Sequence, residues 1–330
     1  MNEWAMIREM AARFRRSPDQ ANALFESDAE LVAIGGETWA LTLDDFSPQE
    51  DLFSLDSPEL TGANLATATL SDLLAAGADP AFYMQAVSLP HDVSNAVIRG
   101  LMDGVRSVLD RAGCFLCGGD TGLSDPWRYC GFAMGPAAAP LTRRLPTLPQ
   151  ALWITGQLGD ANLAAFRNEP PPPFELRLSE SRLLRAHATA CMDTSGGLME
   201  SLWTLHSLNP GMRWDLDLAA IPLAPAVLAF TQASDIPSVA ALLGGAGEYE
   251  LLAMAPVKGE TVRLQEWREK GLTRIGEVTP SAESGIFLHG KNGRPRLFFG
   301  PPPCPRAAGR KEYREAVVRL AFQLAGDGGR

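Results

Sequence analysis

The sequence predicts an α+β (mixed α/β) protein folded as two domains. Three observations carry this. The chain has 330 residues, more than a single hydrophobic core usually serves. Helix-period and strand-period segments alternate along it, but without the regular βα spacing of a barrel. A Pro-rich stretch at 136–150, PAAAPLTRRLPTLPQ, interrupts all periodicity between two patterned regions. That stretch places the domain junction and gives a first unit of 1–138 and a second of 139–330.

In chain order, Met1–Arg16 predicts a helix, with Trp4, Ile7, Met10, Ala11 and Phe14 near helical spacing. Leu31–Ile34 and Trp39–Leu43 predict a hairpin about Gly35-Gly36. Thr61–Ala78 predicts a helix and Phe82–Leu89 a strand. Ser94 caps a helix striped by Val97, Leu101, Val105, Val108, Leu109 and Ala112, and Gly113 ends it. Cys114–Cys117 predicts a short buried strand leading into a Gly118-Gly119-Asp120-Thr121 turn, and Tyr129–Met134 another strand. In the second unit strands are expected at Ala151–Thr155, Glu250–Ala255, Arg274–Val278 and Gly285–His289. Helices are expected at Ser179–Ala188, Gly197–Leu208, Thr261–Lys270 and Glu312–Leu324, with a loop at Pro170–Pro173.

The charge balance narrows the function. Asp+Glu is 39 against Lys+Arg 29, a net −10, which argues against a dedicated nucleic-acid binder, since phosphate contacts dominate that affinity. No run of about 18 apolar residues suggests a membrane span. The opening segment lacks the order of a signal peptide. Five cysteines, an odd count, suit reduced thiols in a cytoplasm.

Acids at the ends of predicted elements are the main chemical signal: Asp28 before a strand, Asp44 at the end of one, Asp72 in a helix, and Asp120 after two glycines. Carboxylates so placed can converge on Mg²⁺, which also takes phosphate oxygens. On a helical wheel Asp72 lies opposite Leu70, Leu73 and Leu74, on a side of small residues; an exposed Asp on an Ala-rich surface fits the same pattern. Gly118-Gly119-Asp120-Thr121 fits a phosphate cradle and equally a capped turn. Gly285 to Lys291 matches GxxxxGK, but Asn292 and the following Gly293-Arg294-Pro295 read as a hairpin rather than a P-loop. Cys114-Phe115-Leu116-Cys117 is a lone CxxC on an apolar strand, read as buried structural thiols.

Five segments, in order, resemble the superfamily of thiamine-monophosphate kinase, aminoimidazole-ribonucleotide synthetase, selenophosphate synthetase and the hydrogenase-maturation dehydratase. They are LSDLLAAGA at 70–78, GGDT at 118–121, ITGQLGD at 154–160, MDTSGGL at 192–198 and GGAGEYELL at 244–252. They are most similar to the kinase. The resemblance implies an N-terminal domain forming a barrel shared across a homodimer and a C-terminal α/β domain. ATP (as substrate) and Mg²⁺ would lie between them, with a small-molecule phosphate as acceptor. It implies metal binding by Asp28, Thr42, Asp44, Asp72, Asp120 and Asp193, and nucleotide contacts from Gly118, Gly119, Asp120, Thr121, Arg143 and Ser195. The accepting phosphate attacks directly, so no acid or base is assigned.

The departures from the kinase pattern fall mostly on the acceptor side. Asp51 stands where a substrate-contacting His is usual, Glu248 stands for the Asp of EDYE, and both are candidate acceptor residues. Asp103 stands where a Tyr near the nucleotide is frequent. Gly196 replaces a metal-position Asp. Glu26-Ser27 replaces Gly-Asp. The pattern leaves three readings open: a thiamine-monophosphate kinase-like phosphotransferase, a superfamily enzyme activating a different oxygen through ATP, and an inactive nucleotide-binding dimer.

Overall fold

The computed structural model describes residues 3–258, 260–290, 294–303 and 310–325. Helix α1 (Glu3–Ala11) stops five residues short of the predicted Arg16. Trp4 stacks on Phe25 at 4.6 Å, while Phe14 is 77% exposed and does not extend the packed stripe. Strands β1 (Glu30–Ile34) and β2 (Glu37–Phe46) form the expected hairpin. A short α2 (Pro48–Asp51), which the sequence did not announce, leads to α3 (Pro58–Ala75). Strand β3 (Phe82–Leu89) and helix α4 (Asn95–Ala112) lie where predicted. The Ser94 Oγ accepts from the Val97 N–H at 3.3 Å, and Gly113 closes α4 in the left-handed conformation.

Strand β4 (Phe115–Leu123) corrects two expectations. The short strand from Cys114 is nine residues long and exposed throughout, and residues 118–121 run through it rather than forming a turn. Its Cys117 is exposed; only Cys114 of the pair is buried. β4 is an edge strand, which explains the exposure. Strand β5 (Arg128–Pro136) completes a mixed sheet in the order β1-β2-β5-β3-β4, in which only β3 and β4 are parallel.

The second sheet begins with β6 (Gln150–Thr155), whose six residues are all buried. It is followed by α5 (Asp160–Arg167), α6 (Leu178–His187), β7 (Ala190–Asp193), α7 (Leu198–Leu208), β8 (Met212–Asp217) and α8 (Pro225–Ala233). A 3-10 turn (Ser238–Leu242), β9 (Leu251–Pro256), α9 (Glu260–Glu269), β10 (Leu272–Pro280), β11 (Gly285–His289), β12 (Arg296–Phe298) and α10 (Arg310–Ala325) close the chain. The sheet order is β12-β11-β8-β10-β6-β9-β7. β11 and β12 pair antiparallel, which bears out the hairpin over the P-loop; Lys291 to Gly293 lie outside the described residues. α5, α8 and β8 are not among the elements expected from the sequence. Met212, Trp214 and Leu216 alternate inward on β8, a legible period-two signal, whereas α8 is too evenly apolar to show a helical one. Among the described residues no helix is long and apolar enough to cross a membrane.

α3 holds the molecule together. Period-two alternation on β2 turns Ala40, Thr42 and Phe46 inward toward it. Thirteen of its 18 residues are buried, so the surface-helix reading of Asp72 does not hold. α3 also meets the second sheet's layer: Ser181 Oγ donates to the Leu74 carbonyl at 2.6 Å. Asn64 Nδ2 donates to the Pro172 carbonyl at 2.8 Å, and the Phe174 N–H donates to Asn64 Oδ1 at 2.9 Å.

Its crossing with α4 is close because glycines face it. A Cβ on Gly62 would come 2.0 Å from the Leu101 carbonyl oxygen, and one on Gly104 would come 2.0 Å from that of Glu59. These obstacles are backbone and cannot swing aside. Gly104→Ala is therefore expected to destabilise the protein by about 2–3 kcal/mol, the upper part of the usual overpacking range. Urea unfolding checks it, and a wild-type midpoint would refute the close crossing.

Candidate active site

Three carboxylates converge from separate elements. Asp28 lies just before β1, Asp72 in the last turns of α3, and Asp193 at the end of β7. One oxygen of each lies within 4.8 Å of the others. Thr42 Oγ1 donates to Asp72 Oδ2 at 2.5 Å. Ser71 Oγ donates to Asp193 Oδ2 at 2.7 Å, and the Ser195 N–H donates to Asp193 Oδ1 at 3.2 Å. Arg143 Nη2 donates to Asp28 Oδ1 at 2.6 Å. Asp28 Oδ2 is buried without a hydrogen-bond partner.

Packing like charges away from water raises their pKa values. Burial, then the charges of Asp44, Asp193 and Asp28, push Asp72 well above the usual carboxylate range. Burial, then Asp28, lift Asp193 to about 6. Burial opposes the charge on Arg143, but Asp28 and, beyond it, Asp72 and Asp193 outweigh that and raise its pKa. Three convergent carboxylates, one with an orphaned buried oxygen, have the chemistry of a hard divalent cation site. The residues present therefore fit Mg²⁺.

The remaining predicted residues divide. Asp44 is close enough to raise Asp72, and Thr42 is bonded to that same carboxyl. Asp120 is not gathered in. On β4 it pairs in register with Ala86, and through Cys130 with Asp45, which places it on the sheet face opposite Asp44. Its Oδ1 accepts from the Thr121 N–H at 2.9 Å. Gly118, Gly119 and Thr121 share that exposed edge, so the cradle expected of a Gly-Gly turn is absent from residues 118–121. Arg143 is drawn to Asp28. Ser195 and Asp51 line a common cleft; Asp51 Oδ2 also accepts from the Ser47 N–H at 3.0 Å.

Glu248 is corrected. Its side chain does not line the cleft but caps α5, accepting from the N–H groups of Gly159, Ala161 and Asn162 at 3.0, 3.3 and 3.3 Å and from Asn162 Nδ2 at 3.1 Å. Burial carries it up to about 7 against the pull of those donors. At Gly196, a Cβ would come 2.4 Å from Glu200 Oε2; the Glu200 carboxylate fills space that a side chain at 196 would enter.

The cleft opens to solvent. Asp51, Phe53, Glu169, Phe174, Ser195 and Tyr249 are among its walls. Ser195 is the link from this cleft to Asp193. The aromatic walls were not read from the sequence. The available signal was the loop at Pro170–Pro173, which Asn64 pins so that Phe174 reaches the cleft.

Residues 26–137 match the family AIR synthase related protein, N-terminal domain. The thiamine-monophosphate kinase of Halobacterium salinarum is 31% identical over 286 residues, covering 84% of this chain and 96% of that protein. The chain belongs to the thiamine-monophosphate kinase family. The Archaeoglobus fulgidus thiamine-monophosphate kinase is 28% identical, over 80% of this chain and 89% of that one. The fold agrees with the AaThiL complex with AMPPCP and TMP, at a TM-score of 0.73 and 20% identity, over 90% of this chain and 97% of that chain. This member of the thiamine-monophosphate kinase family is accordingly a phosphotransferase of that type.

For this kinase-family chain the acid cluster has a pH consequence. Asp193, at about 6 in the fold, and Asp72, also raised, bind protons that the unfolded chain releases near pH 4. The folded state thus holds more protons between about pH 4 and 6, and this contribution to stability is lost as pH rises through that window. A divalent cation bound at the triad would replace those protons. Mg²⁺ is therefore expected to raise Tm more at pH 7.5 than at pH 5. Thermal melts with and without Mg²⁺ check this, and an equal or larger gain at pH 5 would count against it.

Proposed function

We propose that this protein transfers the γ-phosphoryl group of ATP to thiamine monophosphate, giving thiamine diphosphate and ADP, with Mg²⁺ held by Asp28, Asp72 and Asp193. The observation that carries the reading is the carboxylate triad joined through Ser195 to an aromatic, acid-lined cleft. Relatives matching over most of the chain bear the kinase name, which favours phosphoryl transfer over ring closure or selenium activation. The AaThiL complex holds AMPPCP and TMP together, the pairing this reaction requires.

Bound at the triad, Mg²⁺ would neutralise charge on the phosphate oxygens. The chain's residues do the positioning. Arg143, kept cationic by Asp28, supplies fixed positive charge beside the phosphates. Ser195 stands where the transferred group would pass from triad to cleft, and Asp51 faces the acceptor. An oxygen of the acceptor's phosphate bonds to the γ-phosphorus as the bond to the ADP oxygen breaks. That phosphate is already anionic near neutral pH, so no general base is needed. The phosphate grip assigns nothing to a P-loop lysine.

The reading includes a homodimer. β4 is an exposed edge, and register places Leu43, Met84, Phe82 and Phe115 on one face of the first sheet, 66%, 45%, 40% and 70% exposed. An apolar sheet face beside an open edge favours a second copy of the sheet, which would close a barrel shared between the copies. The proposed domains meet near residue 138. Reduced thiols fit a cytoplasmic setting.

Three measurements test this. Purified protein with ATP, Mg²⁺ and thiamine monophosphate is expected to form thiamine diphosphate; its absence sinks the substrate assignment, and Mg²⁺·ATP binding without turnover on any phosphate acceptor would support the inactive dimer. Asp72→Asn should weaken Mg²⁺-dependent ATP binding by more than tenfold, about 1.4 kcal/mol or more, read by calorimetry. Met84→Glu with Phe115→Glu should turn a dimer into a monomer in light scattering; a monomeric wild type would remove the shared barrel.

A further inference from the structure

The backbone at Tyr249 is unusual. Its φ is +54°, in the left-handed region that a bulky side chain adopts only when its surroundings impose it. The imposition is visible on both sides. Glu248 is fixed by its four donors at the start of α5. Glu250 accepts from Arg177 Nε and Nη2 at 2.7 and 2.5 Å and from Thr155 Oγ1 at 2.5 Å. The main chain is pinned as well: the Glu248 N–H donates to the Thr194 carbonyl at 3.0 Å, and the Glu250 N–H donates to Thr194 Oγ1 at 2.9 Å. Tyr249 is thus the apex of a loop buckled around Thr194, the residue between Asp193 and Ser195.

The buckle sets where the ring goes. It lies back against Gly247, where a Cβ would come 2.7 Å from Tyr249 Cε2 and 2.7 Å from the Ser195 carbonyl oxygen. Its far side meets Phe174, with centroids 4.6 Å apart, and Phe174 in turn meets Phe53 edge-on at 6.2 Å. All three rings line the cleft that Asp51 and Glu169 also line. Aromatic faces beside carboxylates suit a flat, positively charged ring.

We propose that Tyr249 is a specificity-determining residue of the acceptor pocket, presented as its wall by left-handed backbone that Glu248 and Glu250 lock in place. The inference rests on the kinase reading above, and names a flat heteroaromatic cation carrying a phosphate as the class of acceptor. Glu248 and Glu250 act through Tyr249 and are positioning residues. The Asp of EDYE that Glu248 replaces is here a longer acid, and its extra reach is used to cap α5 rather than to touch the acceptor.

The test is steady-state kinetics on the full chain with ATP and thiamine monophosphate. Tyr249→Ala is expected to raise the acceptor KM at least tenfold and leave the ATP KM within twofold. Tyr249→Phe, which keeps the ring, should bring the acceptor KM back to within threefold of wild type. Tyr249→Gly adopts positive φ without strain; it should share the raised acceptor KM while melting no lower than Tyr249→Ala. An unchanged acceptor KM in the Ala and Gly variants overturns the assignment, as does an equal rise in both KM values, which would mark general damage. A wild type that neither binds nor phosphorylates thiamine monophosphate overturns the kinase reading and this inference together. An active wild type with indifferent Tyr249 variants overturns the inference alone.

Discussion

Three acids must be held within 4.8 Å of one another in a place with little water. Coulombic repulsion opposes this arrangement, and each chain segment that bears on it supplies a compensating group. The first sheet contributes Thr42 to Asp72. α3 contributes Ser71 to Asp193, thereby tying β7 of the second sheet to itself. The segment between the sheets contributes Arg143 to Asp28. The site is therefore also the fastening between the two layers. A change that loosened α3 in its bed would separate Asp72 from Asp28 and Asp193 together, which is why glycines at the α3–α4 crossing bear on chemistry they never touch.

Arginine is the suitable partner there. Its guanidinium stays charged even when burial opposes the charge, whereas a buried lysine readily gives up its proton. Only four of the 29 basic residues are lysines, and the buried ion pairs at the core of the molecule, Arg143 with Asp28 and Arg177 with Glu250, are both arginine pairs. Two carboxylates that would otherwise be costly to bury are thereby available for fixed structural duties, one at the triad and one beside Tyr249. Asp28 keeps a second oxygen unspent, and that oxygen separates a site able to take a cation from a salt bridge that is merely closed.

Much of this was readable in the amino-acid order where a local rule governs. The α4 stripe, its Ser94 cap and its Gly113 stop follow from helix chemistry alone, and the structure has them at those residues. Asp28 and Asp72 could be picked out from their places, before a strand and among small residues of a helix, whereas Asp193 was marked only by the resemblance of MDTSGGL at 192–198. Asp120 misled because two glycines before an Asp suggest a turn. Gly119 is instead required by close strand pairing, since a Cβ there would come 2.1 Å from the Gln85 carbonyl oxygen. A strand alternates faces, so pairing carries Asp120 away from the triad. Glu248 misled for a different reason: nothing near it in sequence shows that α5, some 86 residues earlier, needs a cap. Both placements depend on partners distant in sequence, which periodicity and turn chemistry do not encode.

The same distinction explains how the site differs along its length. At the triad the groups are few, short and mutually bonded, so a substitution there disturbs several partners at once. Toward the cleft the walls come from separate loops, α2 with Asp51, the proline segment with Phe174, and the loop after Gly244 with Tyr249. Each is anchored at its own base, by Ser47, by Asn64 and by the paired glutamates. Such walls can change one at a time without disturbing the triad. The departures from the kinase pattern at Asp51 and Glu248 lie on this side of the molecule, and both acids have been absorbed into local hydrogen bonding. The triad's groups are tied to one another, while each loop of the cleft is anchored separately, and the left-handed backbone at Tyr249 sits between two buried carboxylates that are each held by several donors.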